Sequence, residues 1–70
     1  MTPTYTAVIQ RDGKWWIGWI EEVSGVNAQS RTRKELLDDL KTGLNEALEM
    51  NRAEAISAAN DAYEEVSIEL

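Results

Sequence analysis

The 70-residue chain has no cysteine, no histidine and no phenylalanine, and only one proline. Without cysteine there can be no disulfide and no thiolate metal ligand. Without histidine the commonest metal ligand and the commonest general base are both missing. No apolar run approaches the ~20 residues of a membrane-spanning helix. Met1 to Gln10 lacks the basic-then-apolar order of a secretory signal, so the expected location is the cytoplasm. Positive charge is scarce as well: 7 Lys and Arg stand against 13 Asp and Glu, a formal charge of −6. That balance opposes a phosphate backbone, which is gripped by Lys and Arg displacing counterions. It suits a basic protein partner and also aids solubility.

A chain of this length makes one domain, here residues 1–70, and buries only about 60% of the surface its unfolded form exposes. Disulfides being excluded, oligomerisation is the remaining common way to reinforce so small a core.

The hydrophobic pattern predicts a strand over Thr4 to Gln10, with Tyr5, Ala7 and Ile9 alternating against Thr6, Val8 and Gln10. Asp12-Gly13 signals a tight turn, and Lys14 to Glu21 reads as a second strand, completing a hairpin. After Ser24-Gly25, Val26 to Ser30 fits a short third strand. Thr32-Arg33-Lys34-Glu35 has capping-box spacing, in which Thr32 accepts from the Glu35 amide and the Glu35 carboxylate reaches back to the Thr32 amide. The helix that follows carries Leu36, Leu37, Leu40, Leu44, Ala47 and Leu48 on one face, and Lys34, Asp38, Lys41, Asn45 and Glu49 on the wet side. Around Asn51 the apolar stripe loses phase. A short second helix from about Arg52 to Ala59, or a bent continuation of the first, is expected there, with a turn at Asn60-Asp61. Val66, Ile68 and Leu70 then alternate with Ser67 and Glu69, the pattern of a last strand that joins the sheet. The fold class is α+β: an antiparallel sheet in the order strand-strand-strand-helix-short helix-strand, with one main helix on one face.

Catalytic chemistry finds no foothold in these residues. The pairs Glu21-Glu22, Asp38-Asp39 and Glu64-Glu65 are solvated charges rather than metal ligands. Neighbours on a strand point to opposite faces, and neighbours on a helix lie about 100° apart. Ser24, Ser30, Ser57 and Ser67 have no histidine to activate them, and Gly18, Gly25 and Gly43 lack phosphate-cradling spacing. No catalytic residue, cofactor or metal is expected.

The unusual feature is Trp15, Trp16 and Trp19 within five positions of one strand. Period two sets Trp15, Ile17 and Trp19 on one face and Trp16, Gly18 and Ile20 on the other. The helix is expected on the Gly18 face, where a missing side chain permits close approach. Leaving Trp15, Ile17 and Trp19 in water would forgo on the order of 5 kcal/mol of burial. That face is therefore the expected interface with a second copy or a partner. The alternative is that the C-terminal segment folds back over it. Stacking of nucleobases on these rings is a further possibility, opposed by Glu21, Glu22 and the net charge.

Three runs carry a family resemblance: Tyr5-Thr6-Ala7-Val8-Ile9; Asp12 through Gly25, reading DGKWWIGWIEEVSG; and Thr32-Arg33-Lys34-Glu35-Leu36-Leu37. Together they resemble the HicB family of type II antitoxins, from Tyr5 to about Leu48. The resemblance implies a partial RNase H-like fold without nuclease carboxylates, and dimers or larger homo-oligomers. It also implies a small basic partner, the mRNA-degrading HicA toxin, whose active surface the antitoxin masks. The family often has Pro-Gly-Cys where Ser24-Gly25-Val26 stands here, and Gly in place of Ser30. Many members carry a C-terminal DNA-binding domain; direct DNA binding is not expected of these 70 residues alone. On this reading Glu21, Glu22 and Glu65 meet basic toxin residues while Trp15, Ile17 and Trp19 anchor the contact. The competing expectation is a self-associating structural module without a toxin, and single-stranded nucleic-acid binding is a third.

Overall fold

The computed structural model describes residues 4–59 and 62–68. Three strands, β1 (Ala7–Asp12), β2 (Trp15–Ile20) and β3 (Asn27–Ser30), precede one helix, α1 (Arg33–Ser57). The sheet is antiparallel in the order β1-β2-β3, a small α+β arrangement.

Local chemistry sets the first hairpin. Asp12 pairs with Trp15, leaving Gly13 and Lys14 as the two-residue loop, and Gly13 takes φ 62°, which a side chain would resist. Gly25, at φ 86°, turns the chain from β2 toward β3. The Ile20 amide donates to the Val26 carbonyl at 3.0 Å, and the Glu21 amide to the Thr6 carbonyl at 2.9 Å. Pairing therefore persists at the rim of the sheet, just beyond the formal strands.

Helix α1 starts as its capping sequence predicts. Thr32 is extended, and its hydroxyl accepts from the Glu35 amide at 3.1 Å. Leu36 and Leu40 are fully buried and form the core with Ile20 and Val26. Ala7, Ile9, Trp16, Val23, Ala28, Leu44 and Ala47 pack around them. A Cβ on Gly18 would lie 2.9 Å from the Val8 carbonyl oxygen, 3.0 Å from Ile9 Cγ2 and 3.3 Å from Leu36 Cδ2. Gly18 thus packs tightly against β1 and, through Leu36, against the helix, on the face that the alternation of β2 assigns to the helix.

Two expectations need correction. No separate second helix begins at Arg52: of the two forms expected there, a new helix or a continuation of the first, the chain takes the continuation, and α1 runs unbroken to Ser57. Its residues from Glu49 on include Met, Ala and Glu, with no Gly or Pro, so local propensity sustains it after the apolar stripe ends. The expected last strand is also absent among the described residues: 63–68 have no regular structure, and 62–68 are exposed throughout. An alternating pattern becomes a strand only by pairing, and the unbroken helix carries the chain past the sheet before this segment begins. The turn expected at Asn60-Asp61, like Glu69 and Leu70, lies outside the described residues.

The helix is correspondingly long. Twenty-five residues span about 37 Å, against about 20 Å for the six residues of β2. The molecule measures 52 × 24 × 15 Å.

The close approach at Gly18 yields a direct prediction. Gly18→Ala should destabilise the fold by about 1–3 kcal/mol, because its new methyl meets backbone rather than a movable side chain. Urea unfolding measures this, and an unchanged midpoint would mean that Val8, Ile9 and Leu36 do not close on Gly18 as described.

Candidate interaction surface

With the helix on one side of the sheet, the other side is open. Cross-strand pairing arranges that side in rows. Trp19 stands between Val8 of β1 and Asn27 of β3, and Ile17 between Gln10 and Gln29. Trp15 pairs with Asp12 on one side and has Arg31 over its ring on the other, with the guanidinium carbon 5.2 Å from the ring centroid. The face thus has an apolar centre along β2, flanked by neutral amides and ended by one acid and one base. Protein interfaces share this anatomy of apolar centre and polar rim.

The three tryptophans are not equivalent. Trp16 packs on the helix side and carries Arg11 at 5.2 Å, while Trp15 carries Arg31 at the same distance. Each contact screens part of an indole and adds a cation–π attraction. Among the described residues nothing covers Trp19 in this way, and it is 41% exposed. The described tail does not provide one either: Val66 and Ile68 are 70% and 83% exposed. The alternative of a tail sealing this face is thus not seen among the described residues.

The sequence-predicted residues divide into two groups. The sheet brings Trp15, Ile17 and Trp19 together on its open face, as their period requires. Glu21 and Glu22 follow immediately at the end of β2, both exposed. Glu65 belongs to the tail, where it pairs with Arg52 of the helix at 3.5 Å, and no described contact joins it to the tryptophan face. Exposure of both partners makes that pair weak.

Glu22 has a second role that sequence reasoning missed. Its carboxylate accepts the Thr6 amide at 2.7 Å, tying the entry of β1 to the exit of β2. The same hydrogen bond stabilises the charged carboxylate and so holds its pKa below the ordinary glutamate value. A run of two glutamates carries no signal for this, since it arises from the register of the hairpin. A further unforeseen contact joins Ser30, which is buried, to Asp39 of the helix: the hydroxyl donates to the carboxylate at 2.7 Å. It fastens the end of β3 to α1 and satisfies a polar group under the helix.

Charge is unevenly placed along the molecule. Ser30 pairs with Trp16, so the helix begins at the hairpin end of the sheet, and Gly43 has reached Val26 at the opposite end. The hairpin end gathers Arg11, Lys14, Arg31, Arg33 and Lys34, with Asp12 and Glu35 among them. The far end gathers Glu21 and Glu22, then Glu46, Glu49 and Glu54 of the helix and Glu64 and Glu65 of the tail, with Arg52 among them. Arg11 and Lys14 flank the tryptophans in the sequence; folding adds Arg31. Met50, Tyr63, Val66 and Ile68 stand exposed among the far-end acids.

Among the described residues no three Asp or Glu side chains are grouped to hold a metal ion, and no helix is long and apolar enough to cross a membrane. Compared with known proteins, the chain finds no match among family models, curated proteins or solved structures.

The Glu22 contact predicts a pH effect with a definite sign. A carboxyl whose folded value is lowered stabilises the fold fully above its unfolded value and loses that contribution as pH falls through the folded one. The Thr6 amide should therefore shift with a midpoint below 4.5, following the Glu22 carboxyl, and Glu22→Gln should abolish that titration. NMR titration measures it; a midpoint at or above 4.5 would show that the hydrogen bond does not hold in solution.

Proposed function

We propose that this chain is a non-catalytic binding module of the antitoxin kind, which neutralises a small basic mRNA-degrading toxin of the HicA type by covering its active surface. The observation that carries this reading is the segregation of carboxylates at one end of the molecule, beside exposed apolar groups. Glu46 stands at the last helical turn packed on the core, and Glu49 and Glu54 project from the helix beyond it, at the same end of the molecule as exposed Met50 and the tail residues Tyr63, Val66 and Ile68. Such a surface suits a basic protein: opposite charge steers encounter and apolar anchors hold the complex. The resemblance of the Tyr5–Leu48 region to HicB antitoxins supports the same choice of partner, as does the lack of histidine and cysteine.

The placement of the acids refines which of them meet the toxin. Glu22 is occupied by the Thr6 amide, and Glu65 has the positive charge of Arg52 beside it. The acids of the overhanging helix, together with Glu21, carry the steering. Neutralisation on this account is steric and electrostatic, requiring no bond to be made or broken. A second reading, a self-associating structural module without a toxin, is favoured by one observation, the uncovered Trp19 on the open sheet face.

A neighbouring reading frame coding for a basic protein below about 100 residues supplies the partner to test. Co-expressed with this chain, it should leave growth and mRNA intact; expressed alone, it should arrest growth. Triple reversal of Glu46, Glu49 and Glu54 to Lys preserves helix propensity and should weaken toxin binding by at least about tenfold, restoring arrest. Neutralisation undiminished by that reversal would contradict the proposed contact. Steeply salt-dependent binding to single-stranded nucleic acid would instead favour that third class of function.

A further inference from the structure

We infer that the tail segment from Tyr63 to Ile68 becomes a β-strand when the basic partner binds, pairing main chain to main chain with an unpaired strand at the edge of that partner's sheet. This mode of binding rests on the antitoxin reading and deepens it, since it states how the acidic end grips its partner and what that partner must present.

Tyr63-Glu64-Glu65-Val66-Ser67-Ile68 contains no Gly or Pro, and its Tyr, Val and Ile favour a pleated strand. Only a period of two sets Val66 and Ile68 on one side; on a helix they would stand about 200° apart. Both stand in solvent, at 70% and 83% exposure. Among the described residues, none donates to or accepts from the main chain of 63–68. The segment thus offers a row of backbone donors and acceptors together with two bare apolar side chains. An open sheet edge takes both at once: main-chain bonds supply affinity, and pockets for alternate side chains supply selectivity.

Neither edge of the chain's own sheet carries this segment, for the sheet of the described residues is β1-β2-β3 alone. Glu65 instead reaches Arg52 of the helix at 3.5 Å. In an extended chain, the side that holds Glu65 and Ser67 then faces the helix, and the side that holds Val66 and Ile68 faces outward. The fitting edge strand is bordered by Lys or Arg, to meet Glu64 and the glutamates of the overhang. It also has an apolar pocket for two side chains about 7 Å apart. A second copy is the poorer occupant, because its own charge of −6 opposes the acidic end that draws a basic protein.

NMR of the full chain, alone and with the basic protein encoded by the neighbouring reading frame, tests this through amide hydrogen exchange and carbon chemical shifts. Alone, residues 64–68 should show coil shifts. In the complex they should show strand shifts, with every second amide protected and those between still exchanging, because one edge of the added strand pairs while the other faces water. Val66→Asp and Ile68→Asp should each weaken binding at least about tenfold, and Ser67→Ala, on the opposite side, by less than about twofold. The segment lies outside the core, so circular dichroism of all three variants should match that of the wild type. Coil shifts that persist in the complex, protection of consecutive amides as in a helix, or binding indifferent to both Asp variants would overturn the proposal. So would strand shifts in the chain alone: independent of concentration they mean pairing with its own sheet, and rising with concentration they mean pairing with a second copy. Failure of the basic protein to bind at all overturns the antitoxin reading and this mode with it, whereas tight binding beside an unpaired tail overturns this mode alone.

Discussion

The structure depends on the seating of one helix against one glycine. Gly18 leaves no room for a Cβ between the Val8 backbone, Ile9 and Leu36, so helix and sheet meet there at close range. Leu36 and Leu40 become fully buried as a result, and a core of four residues forms with Ile20 and Val26. A single helix can shield a single face. Because β2 is apolar on both sides, committing Trp16, Gly18 and Ile20 to the helix leaves Trp15, Ile17 and Trp19 facing outward. The open surface follows from that packing decision.

The same geometry sorts the charge. Once the register Trp16 to Ser30 fixes where the helix begins, residues dispersed in the sequence collect at opposite ends. Arg11 and Arg31 lie on the tryptophans at the hairpin end, while the glutamates of the overhang and tail lie beyond the sheet. The net charge of −6 conceals this division. A chain described only as acidic is better described as dipolar, and the two ends suit different contacts.

Most of the sheet and the start of the helix are legible in the sequence because local rules decide them. Gly13 and Gly25 mark real turns, Thr32 caps the helix, and the alternation of β2 separates its faces correctly. Elements that depend on distant contacts are less visible. A separate second helix was expected after Asn51 where the first in fact continues, since loss of the apolar stripe removes a packing partner but not the backbone ladder. The alternating tail suggested a strand, yet alternation states only which sides would be buried if an edge were within reach. Of the candidate site, the tryptophan face was readable from period two. Glu22 binding the Thr6 amide, Glu65 pairing with Arg52 and Arg31 lying over Trp15 depend on register and on the length of the helix.

The central claim is that another protein surface covers the outward side of β2 in solution, and the indole of Trp19 reports it most directly. NMR in the presence of a soluble paramagnetic agent measures how freely solvent reaches each indole N–H. The account predicts that Trp19 is shielded at concentrations where copies associate and becomes broadened on dilution, while Trp16, packed beneath the helix, changes little. Equal access of the agent to Trp19 at every concentration, and in the presence of any bound partner, would contradict it.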